Sequence, residues 1–131
     1  MAKILIIDDD PDMVLASRLC LEQAGHLVVE ARNSAAGLEQ LRAERPDLIV
    51  LDVMMDTATE GFQLALKLRG PQADPELADF RHIPIVMLTA IHTTTPLRFG
   101  PEADYLPVDD FIDKPIDPDL LVRKVEALLK R

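Results

Sequence analysis

Tryptophan is missing from this sequence of 131 residues, aromatic residues make up only 4% of it, and it has a single cysteine. Since 48% of the residues are nevertheless hydrophobic, the core must be assembled from Ile, Leu, Val, Ala and Met. Such a composition suits buried parallel strands better than an aromatic-rich β-sandwich. Cys20 has no second cysteine with which to form an internal disulfide, and it falls in an apolar helical pattern where a small core residue is expected. Nothing therefore points to an oxidising compartment. No apolar run approaches the roughly 20 residues of a membrane span, and the N-terminus lacks the layout of a signal peptide. A cytoplasmic protein without membrane insertion is expected. A basic patch is lacking as well, and the net charge of -9 argues against nucleic acid as a direct ligand, because its phosphates would be repelled. A chain of this length predicts one compact domain, residues 1–131.

What is present is an alternation of short apolar runs and amphipathic stretches. Lys3 to Ile7 reads as a buried strand that stops in the acidic cluster at Asp8. Pro11 suits the first turn of a helix with Asp9 or Asp10 as N-cap; Met13, Val14, Ala16, Leu19, Cys20 and Leu21 continue it until Gly25. Leu27 to Val29 predicts a second strand, and Ser34 the cap of a helix that ends before Pro46. Leu48 to Leu51 predicts a third strand terminating at Asp52, followed by a loop to Gly61 and a helix from about Phe62 to Arg69. Residues 70–82, with Gly70, Pro71 and Pro75, read as an extended connection to a fourth strand, Ile85 to Leu88. Three consecutive threonines, Pro96, Gly100, Pro101 and Pro107 allow at most a short or distorted helix before a fifth strand, Val108 to Ile112. Asp117 and Pro118 then open a last helix with an apolar stripe of Leu120, Leu121, Val125, Leu128 and Leu129.

Strand and helix alternating in this way predict an α/β fold: one doubly wound, five-stranded parallel sheet with helices on both faces. In such folds ligands meet the carboxyl ends of the strands where the winding reverses. That rule selects Asp8 and Asp9, Asp52, Thr89 and Lys114 before any motif is considered. Three carboxylates brought together repel one another unless one is protonated or a cation sits among them. Hard oxygen ligands without His or Cys favour magnesium. A carboxylate that attacks phosphorus needs the charge neutralised in place, a task for the metal and Lys114, while Thr89 has a hydroxyl to offer a phosphoryl oxygen. Each piece alone has a plainer meaning: Asp8 and Asp9 before a proline are usually a helix cap, Asp52 a turn residue, Lys114 a surface lysine. Jointly, at the ends of different strands, they describe an acyl-phosphate site.

The runs Ile4 to Asp9, Leu48 to Met55, Ile85 to Ala90 and Phe111 to Pro115 resemble the four landmark motifs of response-regulator receiver domains, the chemotaxis-regulator-like switches of two-component signalling. This resemblance covers nearly the whole chain and implies the flavodoxin-like strand order 2-1-3-4-5. It also implies that Asp52 accepts a phosphoryl group from a histidine kinase or a histidine phosphotransfer protein, and that Asp9, Asp52 and the Met54 carbonyl ligate Mg2+ with help from Asp8 through water. Thr89 and Lys114 would then bind the phosphoryl group, Phe111 would fall at the aromatic switch position, and the Lys114-Pro115 bond would be cis. By position alone, Phe111 reads equally well as a strand residue packed on the last helix. Met54 and Ile91 offer no acid or amide to orient a hydrolytic water, so a long-lived phosphorylated form is expected.

The sequence also departs from the family pattern. Asp56 stands where the family usually has proline, the loop to Gly61 is one residue longer, residues 91–107 replace the usual fourth helix, and Asp109-Asp110 replaces a common Gly-Ala pair. Since the chain ends about where the receiver pattern ends, a stand-alone switch or relay step with an unknown downstream protein is expected. Two other readings remain open: a receiver fold kept only for protein contacts, and a dehalogenase-type phosphatase using Asp8 and Asp10. The latter leaves Asp52 without a role and lacks the usual threonine after the acid pair. His26, His82 and His92 read as surface or loop residues, and Met54, Met55 and Met87 as packing.

Overall fold

The computed structural model describes residues 2–52, 64, 68, 80, 82–89, 110–113 and 117–130. Its elements are β1 (Lys3–Ile7), α1 (Pro11–Gln23), β2 (Leu27–Ala31), α2 (Ser34–Glu44), β3 (Leu48–Asp52), β4 (Ile85–Thr89), β5 (Asp110–Asp113) and α3 (Pro118–Leu129). The strands form one parallel sheet in the order β2-β1-β3-β4-β5, as expected. The chain steps outward from β1 to β2, then crosses back over it to β3, which makes the β1/β3 edge the point of reversal.

Strand β1 shows why the run Lys3 to Ile7 becomes a central strand. Leu5 and Ile7 point into a core layer beneath α2 with Ile49, Leu51, Ile85 and Met87. Ile4 and Ile6 point the other way, into a layer with Val14 and Leu21 of α1 and Leu121, Val125 and Leu128 of α3. With apolar residues on both faces, alternation gives way to a continuous apolar run. Each fully buried Ile or Leu contributes about 1.5–3 kcal/mol relative to exposure. Leu64 and Leu68 are helical and buried in the first layer; the rest of the helix expected there, the loop to Gly61, most of the 70–82 connection and the 91–107 stretch lie outside the described residues.

Helix boundaries follow local chemistry. Asp10 is the N-cap of α1, its carboxylate accepting from the Asp12 N–H at 3.0 Å, and Pro11 occupies the first turn. The expected cap of α2 shifts by one residue: Asn33 is the N-cap, with Oδ1 accepting from the Ala36 N–H at 2.8 Å, and Ser34 is the first helical residue. An amide oxygen and a hydroxyl compete here on nearly equal terms, and the extended backbone of Asn33 decides it. Arg45 ends α2 in the left-handed conformation with φ 46°. Strand β2 runs two residues further than expected, because Glu30 and Ala31 remain in register with Ile6 and Ile7 of β1. A Cβ at Gly37 would lie 2.7 Å from Ile7 Cδ1, so the missing side chain lets α2 settle closely on the sheet. Among the described residues no helix is long and apolar enough to cross a membrane.

Candidate functional site

Two adjacent strand ends create the site. The apolar run of β1 gives out at Asp8, whose N–H still reaches the Ala31 carbonyl of β2 at 3.0 Å, extending the hydrogen-bond ladder one step beyond the strand. Asp8 Oδ1 accepts from the Asp10 N–H at 2.9 Å, which turns the chain into α1. On the other side of β1, β3 ends in Asp52, opposite Leu88 of β4. Asp8 and Asp52 are each only 2% exposed, while Asp9 is half-buried. Carboxylate oxygens of all three lie within 4.8 Å of one another.

Such a cluster has a clear electrostatic character. Like charges this close in a buried setting repel one another, and a divalent cation relieves the repulsion. The donor set consists of carboxylate oxygens, hard ligands that suit magnesium, which takes one or two carboxylates and keeps water for its other positions. The residues fit that ion. Thr89 is at the end of β4, level with Asp113 of β5, and Phe111 is opposite Met87. These placements bring Thr89 to the same sheet edge as the acids, while the side chains of Thr89 and Phe111 lie outside the described residues. So do Met54, Lys114 with its bond to Pro115, Asp56, Ile91 and His92.

Beside the acids a groove of about 830 Å³ runs between α1 and β2. Asp8, Asp9, Leu15, Arg18, Leu19, Glu30 and Arg32 are among its lining residues. Leu15 and Leu19 are 55% and 52% exposed. Arg18 pairs with Glu22 and with Glu30 across the groove, and these carboxylates raise the already high pKa of its guanidinium. Neither the groove nor Arg32 was marked by the strand-end rule, because a single arginine after a strand has no distinctive sequence signal.

His26 bears out the loop half of its surface-or-loop reading and not the surface half. It is a loop residue, but buried, with Nδ1 accepting from the Ala2 N–H at 3.2 Å and Nε2 3.5 Å from a Glu126 carboxylate oxygen. It lies at the opposite end of the sheet from the acids. His82 is exposed. Cys20 is only partly buried; its Sγ donates to the Ser17 carbonyl at 3.2 Å, and burial pushes the thiol pKa up.

A doubly wound parallel sheet with an acid cluster at its point of reversal defines the class as a receiver-like α/β switch domain. The chain belongs to the response regulator receiver domain family, whose model matches residues 4–126. It is 34% identical over its full length to the transcriptional regulatory protein AfsQ1 of Streptomyces coelicolor, of which it covers 52%. Across 98% of both chains it is 30% identical to the protein PilH of Pseudomonas aeruginosa. Among solved structures, the signal receiver domain of a signal transduction histidine kinase from Syntrophus aciditrophicus superposes with a TM-score of 0.81 at 30% identity, covering 99% of this chain and 91% of that one. The chain thus spans about half the length of several curated relatives and nearly the whole of another. Receiver domains are phosphoacceptor signalling modules of two-component systems that work with histidine kinases or phosphotransfer donors and with downstream effectors.

Proposed function

We propose that the chain is a single receiver unit, residues 1–131, that accepts a phosphoryl group on Asp52 from a histidine kinase or histidine phosphotransfer protein in the cytoplasm. The observation that carries this reading is the meeting of Asp8, Asp9 and Asp52 within 4.8 Å at the strand ends where the sheet reverses. In this reading Asp52 is the nucleophile, held at the end of a buried strand. Asp9, Asp52 and the Met54 carbonyl hold Mg2+, with Asp8 assisting through water. When bound, the ion supplies the positive charge that three carboxylates and an incoming phosphoryl group require. Thr89 and Lys114 orient and neutralise the phosphoryl oxygens. Phosphorylation then alters the surface offered to a downstream protein, with Phe111 as the switch residue, or the phosphate is relayed onward. The domain acts as a switch and catalyses only its own phosphorylation and dephosphorylation.

The test is incubation with a small phosphodonor and magnesium, followed by intact mass. One added phosphoryl group is expected on the native chain and none on Asp52→Ala. Persistent absence of an adduct on the native chain with every donor would leave a fold used only for protein contacts.

A further inference from the structure

Two arginines line the groove beside the acid cluster, and they are engaged differently. Arg18 is held by Glu22 and Glu30. Arg32 follows the last residue of β2, is exposed, and forms no ion pair among the described residues. Its strand borders β1 on the side away from β3, so at a strand spacing of about 4.8 Å the ends carrying Arg32 and Asp52 are roughly 10 Å apart. That separation leaves room for a small donor between them and is close to the screening length of about 8 Å at physiological ionic strength.

Three carboxylates carry one more negative charge than a divalent cation neutralises. With Lys114 offsetting that remainder, as the proposed function has it, a dianionic donor approaching through the groove finds no net attraction at the acids themselves. We propose that Arg32 is a donor-docking residue that attracts and orients anionic phosphodonors at the mouth of the site, favouring donors with more negative charge. This inference rests on Asp52 being the acceptor. With acetyl phosphate, an Asp52 carboxylate oxygen forms a bond to phosphorus, the bond from phosphorus to the acetate oxygen breaks, and acetate leaves with its electron pair; no proton moves. Arg32 touches none of these reacting atoms. It acts on the charge of the donor as a whole, a long-range effect that governs encounter.

The experiment measures initial rates of adduct formation by intact mass at saturating magnesium, for the native chain, Arg32→Glu and Arg32→Lys. With acetyl phosphate at low salt, Arg32→Glu is expected to be about three- to ten-fold slower than native, since local charge steers encounter. Near 1 M salt, where the screening length falls to about 3 Å, the difference should shrink to within about two-fold. Arg32→Lys should stay near native, and monoanionic phosphoramidate should show a smaller gap than acetyl phosphate. Equal rates for native and Arg32→Glu at low salt would overturn the proposal. So would a loss that is the same at both salts and with both donors, which would mark a structural disturbance. Absence of any adduct on the native chain would instead remove the acceptor reading, and this proposal with it.

Discussion

Acidic side chains gather at both ends of the sheet, but in different company. At the amino ends of the strands, Asp47 accepts from the Lys3 N–H at 2.8 Å, Glu44 lies 3.1 Å from Lys3 Nζ, and Glu126 faces His26. At the carboxyl ends, Asp8, Asp9 and Asp52 face one another. The first arrangement ties the start of the chain to α2, β3 and α3. The second gathers like charges, which stabilises little without a cation and makes sense as a binding surface. One end of the fold is tied together by its charges, and the other holds the acids of the proposed reaction.

The largest stability effect should come from breaking the structural end. His26→Ala removes the acceptor of the Ala2 N–H and opens a space between the first residues and α3, and is expected to cost about 2–3 kcal/mol in urea denaturation. The opposite sign is expected at the other end. Asp52→Asn keeps the shape and removes a charge, so without magnesium it should stabilise by about 1 kcal/mol. Magnesium at ten times its dissociation constant should raise native stability by about 1.4 kcal/mol and Asp52→Asn by clearly less. A destabilised metal-free Asp52→Asn would erase the contrast between the ends. The smallest effect concerns Cys20, near the amino end of the sheet. Its folded pKa is raised by burial, so the native state holds the thiol proton more tightly than the unfolded chain does. Its contribution is intact below the ordinary thiol value of 9.0 and is lost as pH rises through the folded pKa. Denaturation midpoints of Cys20→Ser should therefore fall slightly less than those of the native chain between pH 8 and about 10.5.

The strand-end placement of Asp8 and Asp52 was legible in the sequence, and the contacts at the structural end were not. Asp8 and Asp52 announce themselves because each interrupts an apolar run, and a carboxylate directly after a buried strand has a defined place in a doubly wound fold. His26 gives no such signal: its burial depends on Ala2 and Glu126, far away along the chain, and no local pattern contains that contact. Helix α1 was read from its apolar residues Met13, Val14, Ala16, Leu19, Cys20 and Leu21, which do not all share one face. The buried face is instead Val14, Ser17 and Leu21, a regular helical spacing that passes through a serine, while Leu19 turns outward into the groove. Polarity misled there where spacing would not have. Strand order, which the family resemblance implied and no local pattern contains, came out as expected.

A hydrogen bond joins the Asp8 N–H to the Ala31 carbonyl. It fastens the first acid to the edge strand, while Asp52 belongs to a strand buried at every residue. The floor of the site is therefore stiff, like an anvil. In the proposed reaction a group bonded to Asp52 would gain little by pulling its strand out of place, so the pull would fall on whatever bonds to that group from the side.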